Sequence, residues 1–446
     1  MKIIEGFQPA KSALSRQAPA KELPGIDERE QKVRKIIDDV RQRGDKALIY
    51  YTSKFDRVEL TTLEVDKRQI TSAYREVDSE LVSALKLAAE RIRSFHTVQK
   101  EALLQESTRA GAGWLIRPLT RVSVNAPGFR APLPSSLLMT AIPARVAGVK
   151  EIIVVTPPRR KEDMSRREGN EVISPLRADE AVSPVTLVAA DIAGVDRVFA
   201  VGGPHAVAAL AYGTKSIPPV DKICGPGNIW VTLAKKMVYG VVGIDGIFGT
   251  SEVIIIADET ANPEYCAADL LAQAEHDPLV EAILITTSRQ LADRVNQEIE
   301  QQLEGLPRQT TATESLESRG VIAVVANMDE AIELANFYAP EHLCLMVDKA
   351  TSYIDRVSNA GCIVTGEKAT VVLGDYVVGP SHVLPTGGTA RFSSPLNVLD
   401  FVKLMNVIRV DDISLKELGS TAQIIARAEG LEAHARAVEK RLEKSA

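Results

Sequence analysis

Apolar residues recur at helical spacing through residues 26–104, with charges between them. Ile36, Ile37, Val40, Leu48 and Ile49 form one such series, and the stretch from Val82 to Phe95 repeats it. Apolar positions three and four apart lie on one face of a helix, so the spacing predicts a helical N-terminal region. From about residue 120 the pattern changes to short apolar runs. Val122-Ser123-Val124, Ile152 to Val155, Arg197 to Val201 and Lys222-Ile223-Cys224 each read as a strand. Between them Ser135–Ala147, Val185–Ile192, Ala206–Ala211 and Ile229–Val238 read as helices, with Gly and Pro at the joints. Strands alternating with helices predict a parallel α/β sheet.

A second series follows Gly249-Thr250-Ser251-Glu252. Its strands are Val253–Ala257, Ala282–Thr286, Val321–Val325 and Cys344–Val347, and its helices are Pro263–Ala274, Arg289–Glu304 and Met328–Phe337. The expected fold class is therefore α/β, with two Rossmann-like α/β domains facing a cleft, a helical N-terminal region and a C-terminal helical tail. The expected boundaries are 1–119 for the helical region attached to the first domain, 120–245 for that domain, 246–385 for the second and 386–446 for the tail. Residues 159–180 are dense in charge and read as a solvated insertion in the first domain.

The length of 446 residues accommodates two or three such domains. Lys plus Arg number 53 against 59 Asp plus Glu, a net charge of -6, which argues against nucleic-acid binding. The four cysteines, Cys224, Cys266, Cys344 and Cys362, include no CxxC pair. They fit a reducing compartment. Met1 to Gly6 lead into no apolar signal segment, so a cytoplasmic location is expected.

Only six histidines are present. Asn262-Pro263 is a strong helix start, and the helix it opens carries Gln273 and His276 three residues apart on one face. Glu341-His342 stand side by side at a strand entrance, where an acid and a base could transfer protons. Asp375 is a hard oxygen donor in a Gly- and Pro-rich loop that also carries His382, and His434 lies in the C-terminal helix. Such nitrogen and oxygen donors suit zinc, but no simple spacing links them. Gly202-Gly203-Pro204-His205 lacks the third glycine of a dinucleotide fingerprint.

Taken in order, the motifs resemble those of the histidinol dehydrogenase family over nearly the whole chain. They include Pro134-Ser135-Ser136, Gly225-Pro226-Gly227-Asn228, Gln273-Ala274-Glu275-His276-Asp277, Pro340-Glu341-His342-Leu343, Gly374-Asp375-Tyr376, His382 to Gly388, and Ala428-Glu429-Gly430-Leu431 with His434. The resemblance implies a cytoplasmic homodimer that contains zinc and oxidises L-histidinol to L-histidine in two NAD-linked steps, through a bound aldehyde. It implies Glu341 and His342 as the acid/base pair. The zinc ligands would be Gln273, His276, Asp375 and, from the other subunit, His434. Substrate contacts would be Ser251, Gln273, His276, His342, Asp375, His382, Glu429 and His434.

The NAD contacts implied by the resemblance fall on Asn125, His205 and Asn228. The family usually has Tyr at the position of Asn125 and Gln at that of His205. Those departures motivate a second reading, a relative oxidising another polar alcohol such as a sulfonated diol by the same zinc and NAD chemistry. A zinc-binding relative that has lost catalysis is a third.

Overall fold

The computed structural model describes residues 1–15, 25–107, 111–128, 132–159 and 177–443. Most of the predicted charged insertion lies outside them. The chain opens with strand β1 (Lys2–Glu5), and the helices Ile26–Arg43, Asp45–Asp56, Lys67–Ala73 and Ser79–Leu103 follow. Strand β2 (Gly111–Pro118) leads into the first α/β series.

That series comprises β3 (Arg121–Asn125), β4 (Glu151–Thr156), β5 (Arg197–Ala200), β6 (Lys222–Cys224) and β7 (Gly243–Ile244). They form one parallel sheet in the order β5-β4-β3-β6-β7. Chain order reverses between β3 and β6. Ligands of open α/β sheets settle at such a switch point, outside the carboxyl ends of the strands. Pro134 begins the helix Pro134–Ala147, and Gly148 ends it at φ +100°, a conformation that favours glycine.

The second series comprises β8 (Glu252–Ala257), β9 (Glu281–Thr286), β10 (Val321–Val324), β11 (His342–Met346) and β12 (Cys362–Thr365). With β1 they make a six-stranded parallel sheet, β1-β10-β9-β8-β11-β12. All six residues of β8 are buried. Alternate side chains serve opposite helical layers. Val253, Ile255 and Ala257 pack with Cys266, Ala267 and Leu270 on one face, and Ile254 and Ile256 with Ala331, Ile332 and Ala335 on the other. Burial on both faces explains the continuous apolar run.

Two segments differ from the sequence expectation. Residues 1–119 do not belong wholly to the first sheet, because Lys2–Glu5 pair with Val321–Val324 at the edge of the second. Four residues are too few to carry a periodic signal. The tail also contains more than helix. Strand β13 (Val402–Arg409) forms an antiparallel ribbon with β2, and the helical part of the tail is two helices, Asp412–Ala428 and Glu432–Leu442. Gly430, at φ +73°, separates them. Ribbon and helix pair form an arm with exposed Leu404, Ile408, Ile413, Leu418 and Ile424.

Candidate active site

Glu341 and His342 sit at the amino end of the second sheet, at its own switch point between β8 and β11. Parallel pairing sets His342 beside Val253, so Glu341 and His342 enter the sheet next to Glu252. The Glu252 backbone holds both. Its N–H donates to Glu341 Oε2 at 2.9 Å, and its carbonyl accepts from His342 Nδ1 at 3.2 Å. A carbonyl only accepts, so Nδ1 carries the proton and Nε2 is the working nitrogen. His342 Nε2 faces Asp375 Oδ1 at 3.6 Å, and Nδ1 is 3.7 Å from Glu341 Oε2.

Burial sets the electrostatics. It pushes the Glu341 carboxyl up to about 7, with the positive charge of His342 partly opposing the shift. Burial also disfavours a charged His342, but the Asp375 and Glu341 carboxylates outweigh it and raise the imidazole above its usual value. For Asp375, burial would raise the carboxyl, and His342, with His382 and His276, instead holds it low. The result is an ionised Asp375, a protonatable His342 and a Glu341 poised to exchange a proton near neutrality.

His382 ties this end to the first sheet. Its Nδ1–H donates to the Asp375 carbonyl at 2.8 Å, and Nε2 lies 3.2 Å from Ser136 Oγ. Ser136 opens the helix after β3, so the carboxyl end of the first sheet meets the amino end of the second. Ser381 Oγ adds a bond to the Met139 carbonyl at 3.1 Å. Burial lowers the His382 pKa and keeps the ring neutral.

Gln273 is buried in the last turn of Pro263–Ala274. His276 falls just beyond that helix, exposed, with its N–H on the Gln273 carbonyl at 3.1 Å and its own carbonyl accepting from Arg308 at 3.2 Å. Ser251 is half-buried at the mouth of β8. Among the described residues no three His, Cys, Asp or Glu form a group that could hold a metal. The donors of one chain are thus an amide, an imidazole and a carboxylate kept ionised by its neighbours. These donor types suit zinc, and a tetrahedral ion held by these three would need a further ligand. Glu429 and His434 stand apart on the exposed arm. There they line a surface hollow of about 390 Å³ with Ala422, Ile425, Leu431 and Val438.

The three expected nucleotide contacts have different settings. Asn228 is exposed, and its Oδ1 caps the helix Ile229–Val238 by accepting from Trp230 and Val231 N–H at 3.1 and 3.2 Å. Asn125 is buried and donates to the Pro226 carbonyl. Gly225 fits against it at φ +99°, where a Cβ would stand 2.6 Å from the Asn125 carbonyl oxygen. His205 is 1% exposed, packed against Tyr51 and Phe55, with Nε2 3.3 Å from Thr52 Oγ1. Its ring presents no surface to a dinucleotide in this conformation. Of the three, only Asn228 is exposed, on the turn 225–228 at the switch point.

Comparison with known proteins identifies the family. The family model described as histidinol dehydrogenase matches residues 21–442. This chain belongs to the histidinol dehydrogenase family. It is 54% identical to the histidinol dehydrogenase of Dehalococcoides mccartyi strain CBDB1, over 99% of this chain and 100% of that protein. It is 46% identical to the Clostridium acetobutylicum protein of the same name, over 92% and 91%. The crystal structure of histidinol dehydrogenase from Elizabethkingia anophelis superposes with a TM-score of 0.89 at 34% identity, covering 100% of this chain and 98% of that one. As a histidinol dehydrogenase family member the chain is an oxidoreductase related to enzymes of histidine biosynthesis. No described helix is long and apolar enough to cross a membrane.

Glu252 and Ser136 were not singled out from sequence as site residues. The available signal for Glu252 was a lone carboxylate at the head of an otherwise apolar strand. The cysteines carry no nucleophilic signature: Cys224, Cys266 and Cys344 are buried, and burial pushes all three thiols up.

Proposed function

We propose that this protein oxidises L-histidinol to L-histidine in two successive NAD-linked steps, retaining the aldehyde between them. The observation that carries the reading is the buried line Glu341–His342–Asp375, set where the two sheets meet. Gln273, His276 and Asp375, completed by His434 of a second copy, would hold zinc. Zinc, when bound, would supply a Lewis acid that orients the substrate. NAD, when bound beside Asn228 at the β3/β6 switch point, supplies the hydride acceptor.

The chain's own groups then divide the proton work. His342 Nε2 takes the alcohol proton, with Nδ1–H anchored on the Glu252 carbonyl. Glu341, poised near neutrality, takes a proton from water for addition to the aldehyde. His342 again accepts the proton released in the second oxidation. Ser251 and His382 position the substrate, and burial of the pair keeps bulk water from the reacting carbon. Because burial keeps the thiols protonated, the scheme uses no covalent cysteine adduct.

The arm supports a homodimer with shared sites. A two-stranded ribbon and two helices exposing this much apolar surface are poorly stable alone. The second copy's arm would bring Glu429 and His434 to the site, and the assembly would be cytoplasmic. Steady-state assay with L-histidinol, NAD and zinc tests the reading. Two NADH per L-histidinol, lost on chelation and restored by zinc, is the expected result. No turnover of L-histidinol, with turnover of another polar alcohol, overturns it.

A further inference from the structure

Glu252 is 3% exposed, and its carboxylate has no part in the proton transfers above. Its Oε1 accepts the Gly387 N–H at 2.9 Å. Gly387 lies in the segment 381–388 that carries His382, and it sits at φ +64°. A second bond, from Gly249 N–H to Thr386 Oγ1 at 2.6 Å, joins the same two stretches of chain. Glu252 thus makes three contacts from one position: its N–H to Glu341, its carbonyl to His342, and its side chain to the His382 segment. The first two survive any substitution because they are backbone bonds. The third depends on the side chain.

We infer that Glu252 is a positioning residue, whose carboxylate holds the segment 381–388, and with it His382, in fixed register with the Glu341–His342 pair. The tether depends on reach, since an oxygen at that distance must meet the Gly387 amide, while the charge of Glu252 separately helps to raise the Glu341 carboxyl. This rests on the reading of Glu341 and His342 as the acid/base pair and of His382 as a substrate contact.

Two substitutions separate reach from charge. Glu252→Gln keeps the length and an acceptor oxygen, and Glu252→Asp keeps the charge and shortens the reach. Loss of one buried hydrogen bond corresponds to about a tenfold effect. With L-histidinol as the varied substrate, E252D is expected to raise KM about tenfold with kcat within about threefold. E252Q is expected to stay within about threefold of wild type in both. Hydrogen–deuterium exchange of the peptide spanning 381–388, in the whole enzyme without substrate, should quicken in E252D and not in E252Q. The reverse order, with E252Q impaired and E252D intact, overturns the proposal, as does unchanged exchange in E252D. The exchange measurement reads the tether directly. If the acid/base reading fails, with Glu341→Gln and His342→Gln both active, the tether is still judged on exchange alone.

Discussion

His342 Nε2 faces Asp375 Oδ1 at 3.6 Å, while its Nδ1 is anchored on the carbonyl of Glu252 at 3.2 Å. The ring is therefore fixed in one tautomer with one nitrogen turned to the site. Substituting His342 by Gln removes the proton acceptor and leaves a polar group of similar size. The expected loss in kcat is about 10²–10⁴-fold, the usual range for a general base. Glu341→Gln should lose a comparable amount. The double variant should lose far less than the product of the two, because the residues serve successive steps and the slower one sets kcat. Steady-state kinetics of the three variants checks this.

Burial of Glu341 gives a stability prediction of definite sign. Its folded pKa of about 7 lies above the usual glutamate value of 4.5. Between those values the folded state binds more protons than the unfolded one, so this residue makes stability fall as pH rises from 4.5 to 7. Glu341→Gln should therefore be the more stable protein at pH 8, by about 2–3 kcal/mol. The advantage should vanish below pH 4.5. Denaturant unfolding at several pH values measures the difference, and equal stability at pH 8 contradicts it.

The incomplete donor set of one chain predicts a shared metal. Asp375→Ala, His276→Ala and His434→Ala should each leave the purified protein with substoichiometric zinc by elemental analysis. Co-assembled dimers of H434A with Glu341→Ala chains should regain activity, since one site then combines an intact Glu341 with an intact arm. No recovery in verified heterodimers counts against sharing.

Lys235 and Asp245 form an ion pair with side chains only 3% and 1% exposed. Lys235 also donates to the Gly225 carbonyl at 3.1 Å, and Asp245 accepts the Gly225 N–H at 2.6 Å, so the pair frames the turn at the switch point. Removing one partner strands the other charge in the interior. Lys235→Met should cost about 3–5 kcal/mol of stability. The urea unfolding midpoint checks it, and a raised KM for NAD should accompany it.

Buried His205 predicts acid sensitivity. Burial lowers its pKa to about 3 from 6.5, and Nδ1 has no hydrogen-bond partner. Below pH 6.5 the unfolded chain takes up a proton that the folded chain refuses, so stability falls as pH falls towards 3. Between neutrality and pH 5 this amounts to about 2 kcal/mol. His205→Gln does not titrate and should flatten the acid side of the stability profile by that amount.

Much of the fold was legible in residue order. Asn262-Pro263 announced a helix, and Asn262 Oδ1 indeed accepts the Glu264 N–H at 2.9 Å. The apolar runs Ile152–Val155 and Val253–Ala257 announced strands, which the structure covers on both faces. The four residues of β1 carried no usable period, because an edge strand so short is defined by its partner, Val321–Val324. The family resemblance gave His205 a cofactor role, and its burial among Tyr51 and Phe55 was invisible in the sequence.

By itself, then, the sequence determined the alternation of strands and helices and the family, and supplied the residues proposed for the chemistry. Those depend on local propensity and on residue types at their motif positions. Tertiary structure decided which of these residues meet. Parallel pairing of β8 with β11 put Glu252 against Glu341 and His342, and the Ser136–His382 contact brought the carboxyl end of one sheet to the amino end of the other. Burial in that junction, rather than residue type, placed the Glu341 carboxyl near neutrality. Desolvation depends on what surrounds a group, and segments distant in sequence supply those surroundings.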